Sequence, residues 1–212
     1  MIWLGCLLAA PARADWQSLS ANEFALPAPP AAGSAAYKQD FETLLSLQAS
    51  RTQRQCDLAL EMKIPTFTAV FGPSELLTPQ EMASVKPFLD AVSMKAFAVN
   101  VVFKKRYARP RPYVEDRRVQ PCADKPEDPG AYPSGHAMEG VVYACVLGRI
   151  FPNRSERIDA WGQYVGQLRA ISGAHHPSDV AAGRALGESI CSWLLEHGDF
   201  NAEIARLRAA PR

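Results

Sequence analysis

The chain has 212 residues, of which 48% are hydrophobic and 21% charged. That profile excludes a disordered chain, the lack of a sustained repeat excludes a collagen-like or coiled-coil fibre, and the length fits one domain around one core. Lys plus Arg (23) nearly balance Asp plus Glu (22), a formal net charge of +1, so the chain is not a dedicated binder of nucleic-acid polymers or a polybasic membrane binder, and an anion site must come from a local cluster of cations.

In chain order, residues 2–10 are almost wholly apolar and run into Ala12-Arg13-Ala14. This predicts a signal peptide over 1–14 and a periplasmic or secreted protein. Residues 15–33 read as an extended Pro-rich arm, since Leu26-Pro27-Ala28-Pro29-Pro30 cannot form regular structure. The helical domain then occupies 34–212. Phe41, Leu44, Leu45 and Leu47 make one amphipathic stripe that continues toward Leu58 and Met62, and Pro65 and Gly72-Pro73 interrupt it. Thr78-Pro79-Gln80-Glu81 opens a helix, with Thr as N-cap, Pro at the first helical position and Glu closing a capping box. That helix runs to about Ala108, where Pro110 and Pro112 extend the chain. Residues 113–132, rich in Pro and charge, read as a long surface loop. Helical patterns resume over 134–151, 155–172, 178–197 and 199–209, and period-two alternation is nearly absent. The predicted fold class is all-α, a single-domain helical bundle. No stretch approaches the roughly 18 consecutive apolar residues of a membrane span. Beyond the leader, Cys56, Cys122, Cys145 and Cys191 allow two disulfides with three possible pairings. Cys145 and Cys191, in apolar helical patterns, also fit buried free thiols.

Three motifs carry chemistry. Lys104 near a helix end is followed by Arg111-Pro112, which can aim two cations at one point; alone, the run Lys104, Lys105, Arg106, Arg109 and Arg111 also fits a solvated basic face. Pro133-Ser134-Gly135-His136 starts a helix, so the Ser134 cap and Gly135 expose backbone N–H groups to an anion beside His136. Arg169, then His175, then Asp179 four residues on, gives a carboxylate able to hold an imidazole N–H and free the other nitrogen as a nucleophile. The ten residues specified together would recur by chance on the order of once in ten million.

In this order the motifs resemble those of the type 2 phosphatidic-acid-phosphatase superfamily, to which vanadium haloperoxidases are also similar. Within it the chain is similar to the soluble bacterial class A non-specific acid phosphatases, a likeness that extends to the arm before Gly33 and to residues 67–72. The resemblance implies a helical bundle of the acid phosphatase and haloperoxidase type. It also implies that Lys104, Arg111, Ser134, Gly135 and Arg169 bind phosphate, that His175 is the nucleophile, that His136 is the general acid, and that Asp179 orients His175. One position departs from the pattern: Leu168 replaces the Ser that usually precedes the third-motif Arg, removing a hydroxyl beside the cradle.

The expected reaction is metal-independent hydrolysis of small phosphate monoesters through a phosphohistidine, with no cofactor, and with inorganic phosphate or vanadate as inhibitors. An anion beside His136 raises its pKa, so activity is expected on the acid side of neutrality. A haloperoxidase or a phosphotransferase could use the same cradle, although haloperoxidases are much longer chains. A metallohydrolase could use His136, His175, His176 and Asp179, but three converging cations would repel a divalent ion. Lipid-phosphate phosphatases carry membrane spans, and a mere phosphate binder does not need the His175–Asp179 couple. His176 reads as a loop residue at the edge of the site and His197 as a helix cap. Apolar surface on the helices of residues 34–62 also fits a homo-oligomer interface.

Overall fold

The computed structural model describes residues 15–123, 125 and 130–210; the expected signal peptide, 1–14, lies outside them. Nine α-helices follow one another among the described residues: α1 (Ala35–Ser50), α2 (Gln53–Glu61), α3 (Phe67–Phe71), α4 (Pro79–Tyr107), α5 (Pro112–Glu115), α6 (Gly135–Ile150), α7 (Ser155–Ile171), α8 (Pro177–Leu195) and α9 (Gly198–Ala209). No strand occurs among those residues, so the fold is all-α.

Capping explains most boundaries. The Thr78 side chain accepts from the Glu81 backbone and Glu81 from the Thr78 backbone, the capping box expected for α4. The stripe from Phe41 to Met62 is not one helix. Arg51 and Thr52 are extended, and a second capping box between Thr52 and Gln55 starts α2. The arm forms two 3-10 turns, Trp16–Ser18 and Ala21–Glu23, and its Trp16, Leu19 and Leu26 are buried. Trp16 meets Phe88 and Phe200 edge-on at 5.8 and 5.7 Å, while the Tyr107 hydroxyl donates to the Leu26 carbonyl and Tyr132 to that of Pro27. The segment after α4 is not simply a surface loop either, since it holds α5 and buries Val119, Ala131 and Tyr132.

Helix α6 is the axis of the molecule. All but three of its residues, Cys145, Gly148 and Arg149, are buried, because α7 and α8 pack on it through glycines. A Cβ on Gly140 or Gly162 would collide with the backbone of the other, and one on Gly183 or Gly187 would collide with the carbonyl of Ser134 or Met138. Helices can approach this closely only where no side chain intervenes. Two disulfides lock the assembly, Cys56–Cys122 and Cys145–Cys191. They select one of the three pairings and replace the free-thiol reading of Cys145 and Cys191.

Candidate active site

The start of α6, the end of α4 and the turn between α7 and α8 meet at one point. Ser134 caps α6, its Oγ accepting from the Ala137 N–H at 3.4 Å. Its own backbone N–H donates to the Asp179 carbonyl at 2.9 Å, which fastens the α6 start to α8. Gly173 supplies the left-handed turn (φ +75°) that ends α7 and reverses the chain toward His175.

A cavity of about 200 Å³ is lined by Lys104, Arg111, Gly135, His136, Arg169 and His175, with Lys63, Ile64, Pro65 and Phe97 around its mouth. Six of the eight residues named from the motifs therefore share one space. Ser134 lies beneath them, completely buried, and Asp179 lies behind His175. The cations are held by backbone. Lys104 Nζ donates to the Gly130 carbonyl, Arg111 Nη1 to the Ala174 carbonyl at 3.1 Å, and Arg169 Nη1 to the Ala59 carbonyl at 3.1 Å. Leu168, the position that departs from the pattern, is buried in the main core. Its side chain serves packing, not the cavity lining.

His175 is 2% exposed. Its Nδ1 lies 2.7 Å from the Ala131 carbonyl oxygen, which can only accept, so the proton is on Nδ1. The lone pair on Nε2 then receives Arg111 Nη1 at 2.8 Å. Burial, followed by Arg111, pushes the imidazole well below its ordinary pKa, which keeps it neutral. Asp179 stands 3.6 Å from His175 Nδ1. Its nearer partners are the His176 N–H at 2.8 Å, His176 Nδ1 at 2.9 Å and Arg109 Nη1 at 2.6 Å. Burial opposes ionisation of Asp179, but the two neighbouring imidazoles hold it far below the usual carboxylate range.

His136 Nε2 is 2.6 Å from the Met62 carbonyl and so carries a proton there. Burial first, then Arg169, push its pKa well below the ordinary value, against the Met62 carbonyl. The protein groups alone thus act opposite to the rise expected from a bound anion.

Three residues escaped the motif reading. Arg109 is not part of a solvated run: it is 5% exposed and ties Asp179 to Ser178 (2.7 Å) and Asp40 (2.9 Å). Its only sequence signal was the rigid Arg-Pro-Arg-Pro spacing. His176 is fully buried at the N-cap of α8, with Nε2 3.1 Å from Glu115, rather than at a loop edge. Burial lowers its pKa, but the carboxylates of Asp179 and Glu115 outweigh that and raise it. Asn100, one turn before Lys104, is buried against Gly135 with no hydrogen-bond partner for its amide among the described residues. His197 accepts the cap role expected of it, lying 2.8 Å from the Trp193 carbonyl. No described helix is long and apolar enough to cross a membrane, and no group of three His, Cys, Asp or Glu is placed to share a metal ion among the described residues.

The chain is 29% identical over 199 residues to a non-specific acid phosphatase of Salmonella typhimurium, covering 88% of this chain and 78% of that protein. A non-specific acid phosphatase of Providencia stuartii is 33% identical over 109 residues, 50% of this chain and 44% of that protein. A lipid A 1-phosphatase of Rhizobium etli is 35% identical over 57 residues, 27% of this chain and 25% of that protein. The model of the PAP2 superfamily matches residues 89–201, a span that contains Lys104, His136, His175 and every other motif residue. With that match over more than half of its length, the chain belongs to the PAP2 superfamily.

Proposed function

We propose that the protein is an acid phosphatase, a phosphoric monoester hydrolase, that works without a metal through a phosphohistidine on His175. The observation that carries this reading is the single cavity in which Lys104, Arg111 and Arg169 face two buried imidazoles. Three fixed cations offset the dianion of a monoester, and they repel the divalent ion that a metallohydrolase would need. Stabilisation grows in the transition state because these groups are already held by backbone carbonyls and need not reorganise.

The unprotonated Nε2 of His175 attacks phosphorus in line, forming a P–N bond as the P–O bond to the leaving group breaks. The proton stays on His175 Nδ1, donated to the Ala131 carbonyl, and the Asp179 carboxylate 3.6 Å away stabilises the positive charge that develops on the ring. His136 enters protonated. Its Nε2–H is committed to Met62, so the proton given to the departing oxygen comes from Nδ1. A dianionic substrate beside Arg169 supplies the negative charge that lets this buried imidazole carry its proton. In the second step His136 takes a proton from water, whose oxygen attacks phosphorus, the P–N bond breaks and phosphate leaves. Inorganic phosphate and vanadate occupy the same cradle and inhibit.

Two disulfides favour an oxidising compartment, so we place the protein outside the cytoplasm, periplasmic or secreted.

The test is rapid quenching into alkaline denaturant with a radiolabelled monoester in the presence of a strong chelator. The expected result is an acid-labile, alkali-stable label on the wild type, none on His175→Ala, and a loss of turnover of at least about 10³-fold in the variant. Turnover by His175→Ala, or inactivation by the chelator, overturns the mechanism. Halide oxidation with vanadate and peroxide, without ester hydrolysis, assigns the cradle to the haloperoxidase reaction instead.

A further inference from the structure

Behind His175 lies a second histidine that the reaction as described does not use. His176 is fully buried at the start of α8, yet both of its ring nitrogens face carboxylates. Nδ1 lies 2.9 Å from Asp179 Oδ2, and Nε2 lies 3.1 Å from Glu115 Oε2. A carboxylate oxygen can only accept, so both nitrogens carry hydrogen and the ring is an imidazolium. Burial opposes that charge, and the two carboxylates outweigh it. The outer carboxylate is itself held, since the Tyr37 hydroxyl donates to Glu115 Oε1 at 3.2 Å. Asp116, next to Glu115, is paired with Arg118. Phe41 packs on the imidazole, its ring nearly perpendicular at 5.3 Å.

A helix cap or a packing residue needs no second carboxylate. The charges around Asp179 give His176 another use. Asp40, Glu115 and Asp179 carry three negative charges, Arg109 and His176 two positive ones. The cluster is one positive charge short of balance, and His175 Nδ1 stands 3.6 Å from the same Asp179 oxygen that His176 holds. During phosphoryl transfer the His175 ring gains one positive charge, which completes the balance. Without the charge on His176 the deficit is two, and His175 is drawn to take a proton from water onto Nε2, the atom that must attack. Arg111 and Lys104, on the cavity side, oppose that proton; His176 removes the pull from behind.

We propose that His176 is a positioning residue for the nucleophile: as an imidazolium clamped between Asp179 and Glu115, it fixes the Asp179 carboxylate and offsets its charge, so that His175 keeps a free Nε2 lone pair in acid. The inference rests on the phosphatase reading and adds to it the group that lets a histidine beside a carboxylate attack under acidic conditions. Asp179 is close enough to stabilise the charge formed in transfer, and too fully engaged by Arg109 and His176 to protonate His175 beforehand.

The test follows the wild type, His176→Asn and Glu115→Gln by heteronuclear NMR of the histidine rings and by kcat/KM for 4-nitrophenyl phosphate between about pH 4 and 6.5, with circular dichroism reporting the fold at each pH. Asn is a favoured helix N-cap and can still donate to Asp179, so His176→Asn removes the charge and keeps the local structure. In the wild type, both His176 nitrogens are expected to be protonated at about pH 6, and His175 Nε2 to stay unprotonated at about pH 5. In His176→Asn the titration of His175 is expected to move up by about one pH unit, and kcat/KM relative to wild type to fall about fivefold from the top of that range to the bottom. The ionisation of the ester is common to all three proteins and cancels in that ratio. Glu115→Gln removes a negative charge, so the deficit cannot exceed that of the wild type whichever state His176 takes, and no upward shift is expected. A neutral His176 in the wild type at about pH 6, an unshifted His175 in His176→Asn, or an upward shift in both variants, each in an active wild-type background, overturns this inference alone. A folded wild type that hydrolyses no monoester at any pH removes the phosphatase reading, and this inference with it.

Discussion

Arg109 makes three charge-assisted contacts at once, to Asp179 (2.6 Å), Ser178 (2.7 Å) and Asp40 (2.9 Å), with both carboxylate partners almost completely buried. Burial disfavours its charge, but the two carboxylates outweigh that and raise its pKa. Taking the guanidinium away strands two buried carboxylates, and breaking a buried pair by deleting one member costs about 3–5 kcal/mol. Arg109→Ala is therefore expected to lose stability on that scale in urea unfolding, and to lose turnover as Asp179 shifts behind His175. Asp40→Asn, which keeps a neutral acceptor on Arg109, should cost far less; equal losses from the two variants would show that charge balance is not what holds the cluster. The sequence presented Arg109 as one cation among five. Whether such a group is solvated or buried is decided by Asp40 on α1, 69 residues earlier, and no local pattern carries that pairing.

The helices themselves were readable because their ends are local chemistry. The Thr78 and Ser134 caps, the Gly173 turn and the proline at the start of α8 all lie where the chain breaks. The cradle was legible for the same reason: each of its groups sits at a helix end, where the sequence marks position. What packs on what was not legible. The spacing of Gly162 with Gly166 and of Gly183 with Gly187 gives each helix a smooth face, but nothing in either segment names α6 as the partner. The Arg51–Thr52 break was hidden because the apolar stripe carries on across it. At Gly183 the packing reaches the site directly, since a methyl group there would overlap the Ser134 carbonyl oxygen, and a backbone atom cannot swing aside. Gly183→Ala is expected to cost about 1–3 kcal/mol as an overpacked core substitution and to lower kcat/KM by displacing Ser134 and Gly135. Gly148→Ala is the control within α6. Its nearest neighbour would be Ser155 Cβ at 3.5 Å, an ordinary contact, and helix propensity should make it neutral or stabilising by up to about 1 kcal/mol. Thermal melts with phosphatase assays separate the two.

Across the whole molecule, the buried ionisable groups set opposing slopes of stability against pH. His136 and His175 have folded-state pKa values well below 6.5. Below that pH their unfolded forms bind protons that the folded forms refuse, so stability falls as pH falls. Glu139 has the opposite sign. Its folded pKa is raised, so above about 4.5 the unfolded carboxyl releases a proton that the folded one keeps, and stability falls as pH rises. His176, also raised, contributes fully below 6.5 and loses its contribution as pH climbs through its folded value. Between about pH 4.5 and 6.5 two histidines outweigh one glutamate; above 6.5 the histidines that were pushed down no longer matter, and Glu139 and His176 pull downward together. Below about pH 4.5, the stability held by Glu81, which Arg154 keeps at about 2, and then by Asp179, which is held lower still, is lost as each is protonated. The expected curve is a dome with its maximum near pH 6.5, each active group contributing a slope of about 1.4 kcal/mol per pH unit. Urea unfolding from pH 5 to 9 measures it. Glu139→Leu should flatten the alkaline limb and leave the acid limb steeper than in the wild type, whereas a curve that rises steadily to pH 9 would mean that the Glu139 carboxyl is already ionised in the folded protein.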